Sequence, residues 1–115
     1  MFAKQFEIWM TVEVSPPGFE PVTTHPVLVV QTNLLNKINH PTVIICPITF
    51  IVKMDAEILR VHLKKGIANM PHECDIMIDQ IQVITTNRLI QKSGELPAEL
   101  IEKVKENILI SLDLE

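Results

Sequence analysis

Residues 6–14, FEIWMTVEV, alternate without a break between side chains that shun water and side chains that accept it. Phe6, Ile8, Met10, Val12 and Val14 fall on one side of an extended chain. Glu7, Trp9, Thr11 and Glu13 fall on the other. A period of two belongs to a strand with one buried face, because successive side chains of a strand point to opposite sides. Whatever this chain becomes, it begins with a sheet, and later segments must supply strand partners and a cover for the apolar face.

Those segments are present. SPPGFEPVTTHP (15–26) holds four prolines and a glycine in twelve residues, which makes it a loop too long for a tight hairpin, a length often kept for function. PVLVVQ reads as a second strand, apolar on both faces. TNLLNKINHP is a connection with room for a helical turn. TVIICPIT is a third strand, whose interior Pro47 points to an edge or a bulge. EILRVHLKK (57–65) alternates again, with Ile58, Arg60, His62 and Lys64 opposite Leu59, Val61 and Leu63. GIANMPHECD is a loop, IMIDQIQVI (76–84) a fifth strand, and TTNRLIQK a helical turn followed by a short strand.

Only LPAELIEKVKENILISLDL reads as a full helix. Leu100, Val104, Ile108 and Leu112 recur every four residues with Ile101 beside them, Pro97 suits the first helical position, and Glu99 suits the positive end of the helix dipole. Five to six mostly antiparallel strands followed by one amphipathic helix predict a mainly β fold: a small, partly open β-barrel with the helix packed on it.

Composition narrows the class. A chain of 115 residues that is 47% hydrophobic and 21% charged can fill one compact core as a single domain, residues 1–115. Its longest apolar stretch, TVIICPITFIV (42–52), is well short of the ~20 residues that span a bilayer. MFAKQFEIWM lacks the apolar run of a signal peptide, so the expectation is a soluble cytoplasmic protein with no membrane contact. Two cysteines make no disulfide framework; Cys46, inside an apolar strand, reads as a small buried hydrophobe. A net charge of −4 argues against a dedicated duplex-DNA binder. Lys53, Arg60, Lys64 and Lys65 nevertheless lie close in sequence, as a patch for a few phosphates or as solvated loop charges.

No glycine-rich phosphate loop, HExxH or GxSxG is present. HECD (72–75) mixes metal-ligand types without a second cysteine pair and reads as a polar loop. His40 and His62 read as surface residues. Trp9, on the polar face of its strand, either packs on a neighbour or stacks a base. Asp79 interrupts an apolar strand, so its carboxylate must be paired or open onto a cleft. Thr49 ends an apolar strand where a hydroxyl can line a groove.

In this order the pieces are familiar. EIW, the proline-rich loop, HPVLVVQ, CPIT, RVHL, the segment IDQIQVITTNRLIQKSGEL and a terminal amphipathic helix together resemble the MazF/PemK family, toxins of bacterial type II toxin–antitoxin systems. The likeness covers nearly the whole chain and rests on the order of the segments, since no single motif is specific. It implies a small SH3-like barrel that forms a homodimer. The implied activity is a metal-independent, cofactor-free endoribonuclease that cuts single-stranded RNA. The ribose 2′-hydroxyl attacks the adjacent phosphorus, leaving a 2′,3′-cyclic phosphate and a 5′-hydroxyl end. The implied partner is an antitoxin whose acidic, disordered tail occupies the groove.

The resemblance implies site residues too. Thr49 matches the family's Thr or Ser at the end of the third strand. Asp79 and Gln80 match a DQ pair that organises the groove, where Trp9 would stack a base. The family's arginine before the second strand is replaced here by His25, and an arginine that some members carry two residues before the DQ pair is Met77. His25 and Thr49 are therefore the expected catalytic pair. A relative that keeps only antitoxin binding is the alternative, and a gyrase poison of the CcdB kind, which ends in Trp-Gly-Ile rather than SLDLE, is a remoter one.

Overall fold

The structure, a computed structural model, describes residues 2–12, 23–55 and 59–114. Most of the proline-rich loop, the expected strand positions Glu13 and Val14, and Ile58 lie outside the described residues. Seven strands are formed: β1 (Glu7–Val12), β2 (Thr24–Val29), β3 (Thr42–Thr49), β4 (Arg60–Leu63), β5 (Cys74–Met77), β6 (Gln82–Thr85) and β7 (Leu89–Glu95). A single turn of helix, α1 (Asn33–Asn36), joins β2 to β3, and α2 (Ala98–Leu112) closes the chain. All the pairings are antiparallel, in the order β4-β5-β3-β2-β1-β7 with β6 added on β3. No ladder among the described residues joins β4 to β7, so the barrel is open.

Three expectations need correction. IMIDQIQVI is two strands, β5 and β6, separated by a 3-10 turn at Ile78–Gln80. That turn lets the chain leave one end of β3 and rejoin it at the other, pairing at Ile48 and Thr49 and then at Thr42–Ile45. β3 is therefore central, and Pro47 costs no ladder bond because it sits where β3 passes from β6 to β5. Finally, the polar side of β1 is no solvent face: Glu7 and Thr11 are buried.

The last point follows from two-sided burial of the sheet. The face toward α2 carries Ile8, Leu28, Cys46, Ile48, Leu63 and Ile76 with Val104 of the helix. The other face carries Ala3, Val27, Val29, Val43, Ile45 and Ile84, with Trp9 and Leu89 packed against them. β2 serves both faces, which is why PVLVV is apolar throughout. In α2, Val104 is fully buried and Leu100 and Ile108 half-buried, whereas Leu112 is exposed because the helix has by then run past the sheet. Gly94 is needed where β7 crosses the turn at 67–69: a Cβ there would lie 2.6 Å from the Ala68 carbonyl oxygen.

Candidate active site

The registers assemble polar side chains that the sequence scatters. Thr11 opposes Leu89 on one side and His25 on the other. Val27 opposes Pro47, so continuing that register by two residues sets His25 opposite Thr49. Thr49 opposes Asp75, and Asp75 opposes His62. Directly opposed side chains of an antiparallel pair share a face. One row, on the strand face opposite Ile48 and Ile76, therefore runs Leu89, Thr11, His25, Thr49, Asp75, His62 across six strands, each step roughly 4.8 Å, and its β4 end borders the cleft beside α2.

His25 is exposed, and its place is fixed from the backbone: the buried Thr11 donates its hydroxyl to the His25 carbonyl at 2.9 Å. The His25 ring reaches the Thr23 hydroxyl at 3.1 Å through Nε2. Thr49 ends β3 half-buried, and its Oγ1 accepts the Ile51 N–H at 3.1 Å. That bond turns the chain after the strand and leaves the hydroxyl proton available for another acceptor.

Asp75 is the surprise of the row. It has no exposed surface, yet it carries an acid between Cys74 and Ile76, which face the other way into the core. Its two oxygens are fully engaged: Lys53 N–H at 2.8 Å and Arg60 Nη1 at 3.2 Å on Oδ2, His62 Nδ1 at 3.1 Å on Oδ1. Burial alone would raise the pKa of this carboxyl and favour its neutral form. The Lys53 N–H, His62 and Arg60 outweigh it and hold the group below the ordinary carboxylate range. Arg60 uses the same Nη1 to reach the Ile51 carbonyl at 2.8 Å. Thr49, Ile51, Arg60, Asp75 and His62 thus form one connected chain of hydrogen bonds. Its outer end is His62 Nε2, 3.6 Å from the exposed Glu73.

The cluster lines a cleft of about 720 Å³ between β4, the 53–54 loop and α2, with Lys53, Arg60, His62, Lys64 and Asp75 on one wall and Glu99, Lys103 and Glu106 on the other. Lys53, Arg60 and Lys64 of the anticipated basic patch do meet here, facing a helix of mixed charge.

The remaining candidates lie elsewhere. Trp9 is half-buried against the second apolar cluster, and its Nε1 donates to Glu7 at 3.0 Å. Asp79 and Gln80 lie exposed in the 3-10 turn after β5. Met77, half-buried at the end of β5, stands directly opposite Arg60. His40 bonds within its own turn to Thr42, and His72 packs edge-on against Phe50. Cys46 and Cys74 are buried, and burial pushes their thiols up to about 12 and about 11. HECD is a loop only as far as Glu73; Cys74 and Asp75 belong to β5. No group of three or more metal-ligand side chains occurs among the described residues.

Asp75 was not singled out by the sequence, Arg60 entered only as one charge of a basic patch, and His62 was read as a surface residue. The one available signal was that Arg60 and His62 share a strand face. The acid that binds them lies beyond a loop whose register sequence patterns do not give.

Comparison with known proteins places this geometry. Residues 4–112 match the family described as PemK-like, MazF-like toxin of type II toxin–antitoxin system. The endoribonuclease EndoA of Bacillus subtilis (strain 168) is 32% identical over 117 residues, covering 99% of this chain and 97% of that protein. The endoribonuclease MazF6 of Mycobacterium tuberculosis is 28% identical over 114 residues, covering 99% and 100%. Among solved structures, the Mycobacterium tuberculosis toxin MazF-mt6 superimposes with a TM-score of 0.77 at 19% identity, over 95% of this chain and 98% of that one. A MazE–MazF structure from Deinococcus radiodurans does so with a TM-score of 0.79 at 16% identity, over 98% and 97%. An endoribonuclease in complex with its cognate antitoxin, from a mycobacterial species, gives 0.75 at 15% identity, over 98% and 97%.

Proposed function

The chain belongs to the PemK-like, MazF-like toxins of type II toxin–antitoxin systems, and we propose that it is an endoribonuclease cutting single-stranded RNA. The observation that supports this best is the pairing of Val27 with Pro47, a register that, continued by two residues, sets His25 beside Thr49 at one end of the sheet.

The chemistry asks for little more than placement. The 2′-hydroxyl oxygen bonds to phosphorus as the bond from phosphorus to the 5′-oxygen breaks. A base takes the hydroxyl proton and an acid returns one to the leaving oxygen. His25 suits proton transfer, since an imidazole nitrogen can either take up or give a proton. Thr49 suits stabilisation of the charged phosphorane, because its hydroxyl proton is not committed to the turn that holds its oxygen. Asp79 and Gln80, exposed after β5, are offered as contacts to the RNA. Trp9, largely engaged in packing, would present an edge to a base. The mechanism calls for no metal or other cofactor.

The protein would act in the cytoplasm as a homodimer, silenced by an antitoxin whose acidic tail lies in the RNA groove. Among the described residues no helix is long and apolar enough to cross a membrane. Loss of arginine at both 25 and 77 favours one other reading, a toxin relative that binds antitoxin and no longer cuts.

The test is incubation of purified protein with a long single-stranded RNA in EDTA, with analysis of the fragment ends. Discrete cuts leaving 5′-hydroxyl ends, lost in His25→Ala and Thr49→Ala, are expected. Intact RNA with a folded protein that still binds its antitoxin would select the non-cutting reading.

A further inference from the structure

A phosphodiester needs fixed positive charge beside it, and neither His25 nor Met77 supplies any that survives at all pH values. Arg60 does. It stands directly across from Met77 on the neighbouring strand, and opposed residues share a face. Its Nη1 donates to the Ile51 carbonyl, and the Ile51 N–H donates to Thr49 Oγ1. The guanidinium therefore rests against the same three-residue turn that holds the Thr49 hydroxyl. Nη1 is spent on Ile51 and Asp75. Nε and Nη2, three N–H groups in all, bond nothing among the described residues. His62 stands beside it with Nδ1 tied to Asp75, so Nε2 is the atom turned outward.

We infer that Arg60 and His62, clamped on the buried Asp75, are the phosphate-binding pair of this site and hold the backbone of single-stranded RNA where it passes from Thr49 into the cleft. The inference rests on the ribonuclease reading and adds two residues to it. Asp75 is a positioning residue: it touches no RNA, and it fixes the guanidinium plane and the imidazole tautomer. A guanidinium does not lose its proton in water, so this charge persists where a histidine's would not. The rival account is that Arg60 serves only to neutralise a buried carboxylate.

Three measurements separate the two. The probe is a short single-stranded RNA, blocked against cleavage by 2′-deoxy substitution and followed by fluorescence anisotropy. First, Arg60→Ala should weaken binding roughly 10- to 100-fold, the range expected for loss of a charge-assisted hydrogen bond. It should also lower the slope of log affinity against log salt by about 0.7, the share of one phosphate on a single strand. Arg60→Lys keeps the charge, so it should keep the slope, and it should recover only part of the affinity.

Second, the ratio of wild-type to His62→Ala affinity should grow as pH falls from about 8 to about 6, because only the protonated ring adds charge. His25 is present in both proteins, so the ratio isolates His62. The other ionisable groups around it are Asp75, Glu73, Arg60, Lys53 and Lys64, with Glu99, Lys103 and Glu106 facing it from α2. Third, Asp75→Asn removes a negative charge near the phosphate, which on charge alone would tighten binding. A positioning role requires the opposite sign, weaker binding. Thermal unfolding of each variant establishes that it is folded. Should Asp75→Asn not fold, the first two measurements decide.

Unchanged affinity and salt slope in Arg60→Ala, with wild type still cutting RNA, would overturn the inference and leave the ribonuclease standing. A wild type that neither cuts nor binds RNA would overturn both.

Discussion

Ile48 and Thr49 are neighbours in β3, and they belong to different molecules in all but the covalent sense. Ile48 opposes Ile76 and lies in the apolar cluster under α2, whereas Thr49 opposes Asp75 and lies in the polar row on the other face. A strand turns each successive residue to the opposite side, so one step along the chain exchanges a folding role for a chemical one. The same switch recurs between Ile76 and Asp75 and between Val61 and His62. The cluster that holds the sheet together and the row that carries the proposed site are thus the two sides of the same strands. Placement of the row is inherited from the packing of the core.

The sharpest way to break this division is to truncate the two neighbours separately. Thr49→Ala should lower the rate of RNA cleavage by about 10²–10³-fold, the cost of removing one donor to a developing oxyanion, with little change in urea unfolding. Ile48→Ala should destabilise the fold by about 2–5 kcal/mol while the molecules still folded cut at nearly the wild-type rate. If Thr49→Ala destabilised the fold comparably and left the cleavage rate of folded molecules intact, the row would be a structural feature.

Asp75 tests the comparison from inside, because it belongs to the polar row by direction and to the core by burial. Asp75→Ala should cost about 3–5 kcal/mol in chemical unfolding, since it strands the Lys53 N–H, the Arg60 guanidinium and His62 Nδ1 around an empty place. Its loss should exceed that of any other member of the row. Gly94→Ala comes next, at about 1–3 kcal/mol, because the new methyl must displace the Ala68 backbone. Gly94 lies outside the row, so RNA cleavage per folded molecule should not move.

How much of this could be read in advance follows the same division. The apolar run TVIICPIT placed β3 at Thr42–Thr49 to the residue, and the four-residue spacing placed α2. Those patterns are local and repeat within a single element. IMIDQIQVI failed as one strand because Asp79 and Gln80 turn the chain between two pairings with β3, a demand set by tertiary contacts and by no local preference. His25 and Thr49 were named through the resemblance to the family, which matches them by their places in the order of segments. Asp75 could not be tied to Arg60 and His62, because the pairing of β4 with β5 is fixed by the loop between them. Glu7 and Thr11 looked solvent-facing because alternation reports two different faces and never says that the second is open.

Glu7 gives the smallest effect and the closest control. It is the other buried acid among the described residues, bonded to Lys4 N–H at 2.8 Å, to Trp9 Nε1 at 3.0 Å and to Lys92 at 2.9 Å. As with Asp75, burial pushes its pKa up, and the donors around it win and hold it low. A carboxyl depressed in the folded state binds protons more readily once unfolded. Each acid therefore stabilises the fold above the ordinary carboxylate range and loses that contribution as pH falls through its lowered value. Urea midpoints should be level from about pH 7 down to about pH 5 in this respect and should decline below about pH 4. Glu7→Gln and Asp75→Asn should each flatten that decline. The two variants should part in RNA binding: Glu7 lies between β1 and β7 with partners that end in the fold, while the partners of Asp75 turn toward the cleft. Equal loss of RNA affinity in both would mean that a buried carboxylate matters to this protein only as a stay for the sheet.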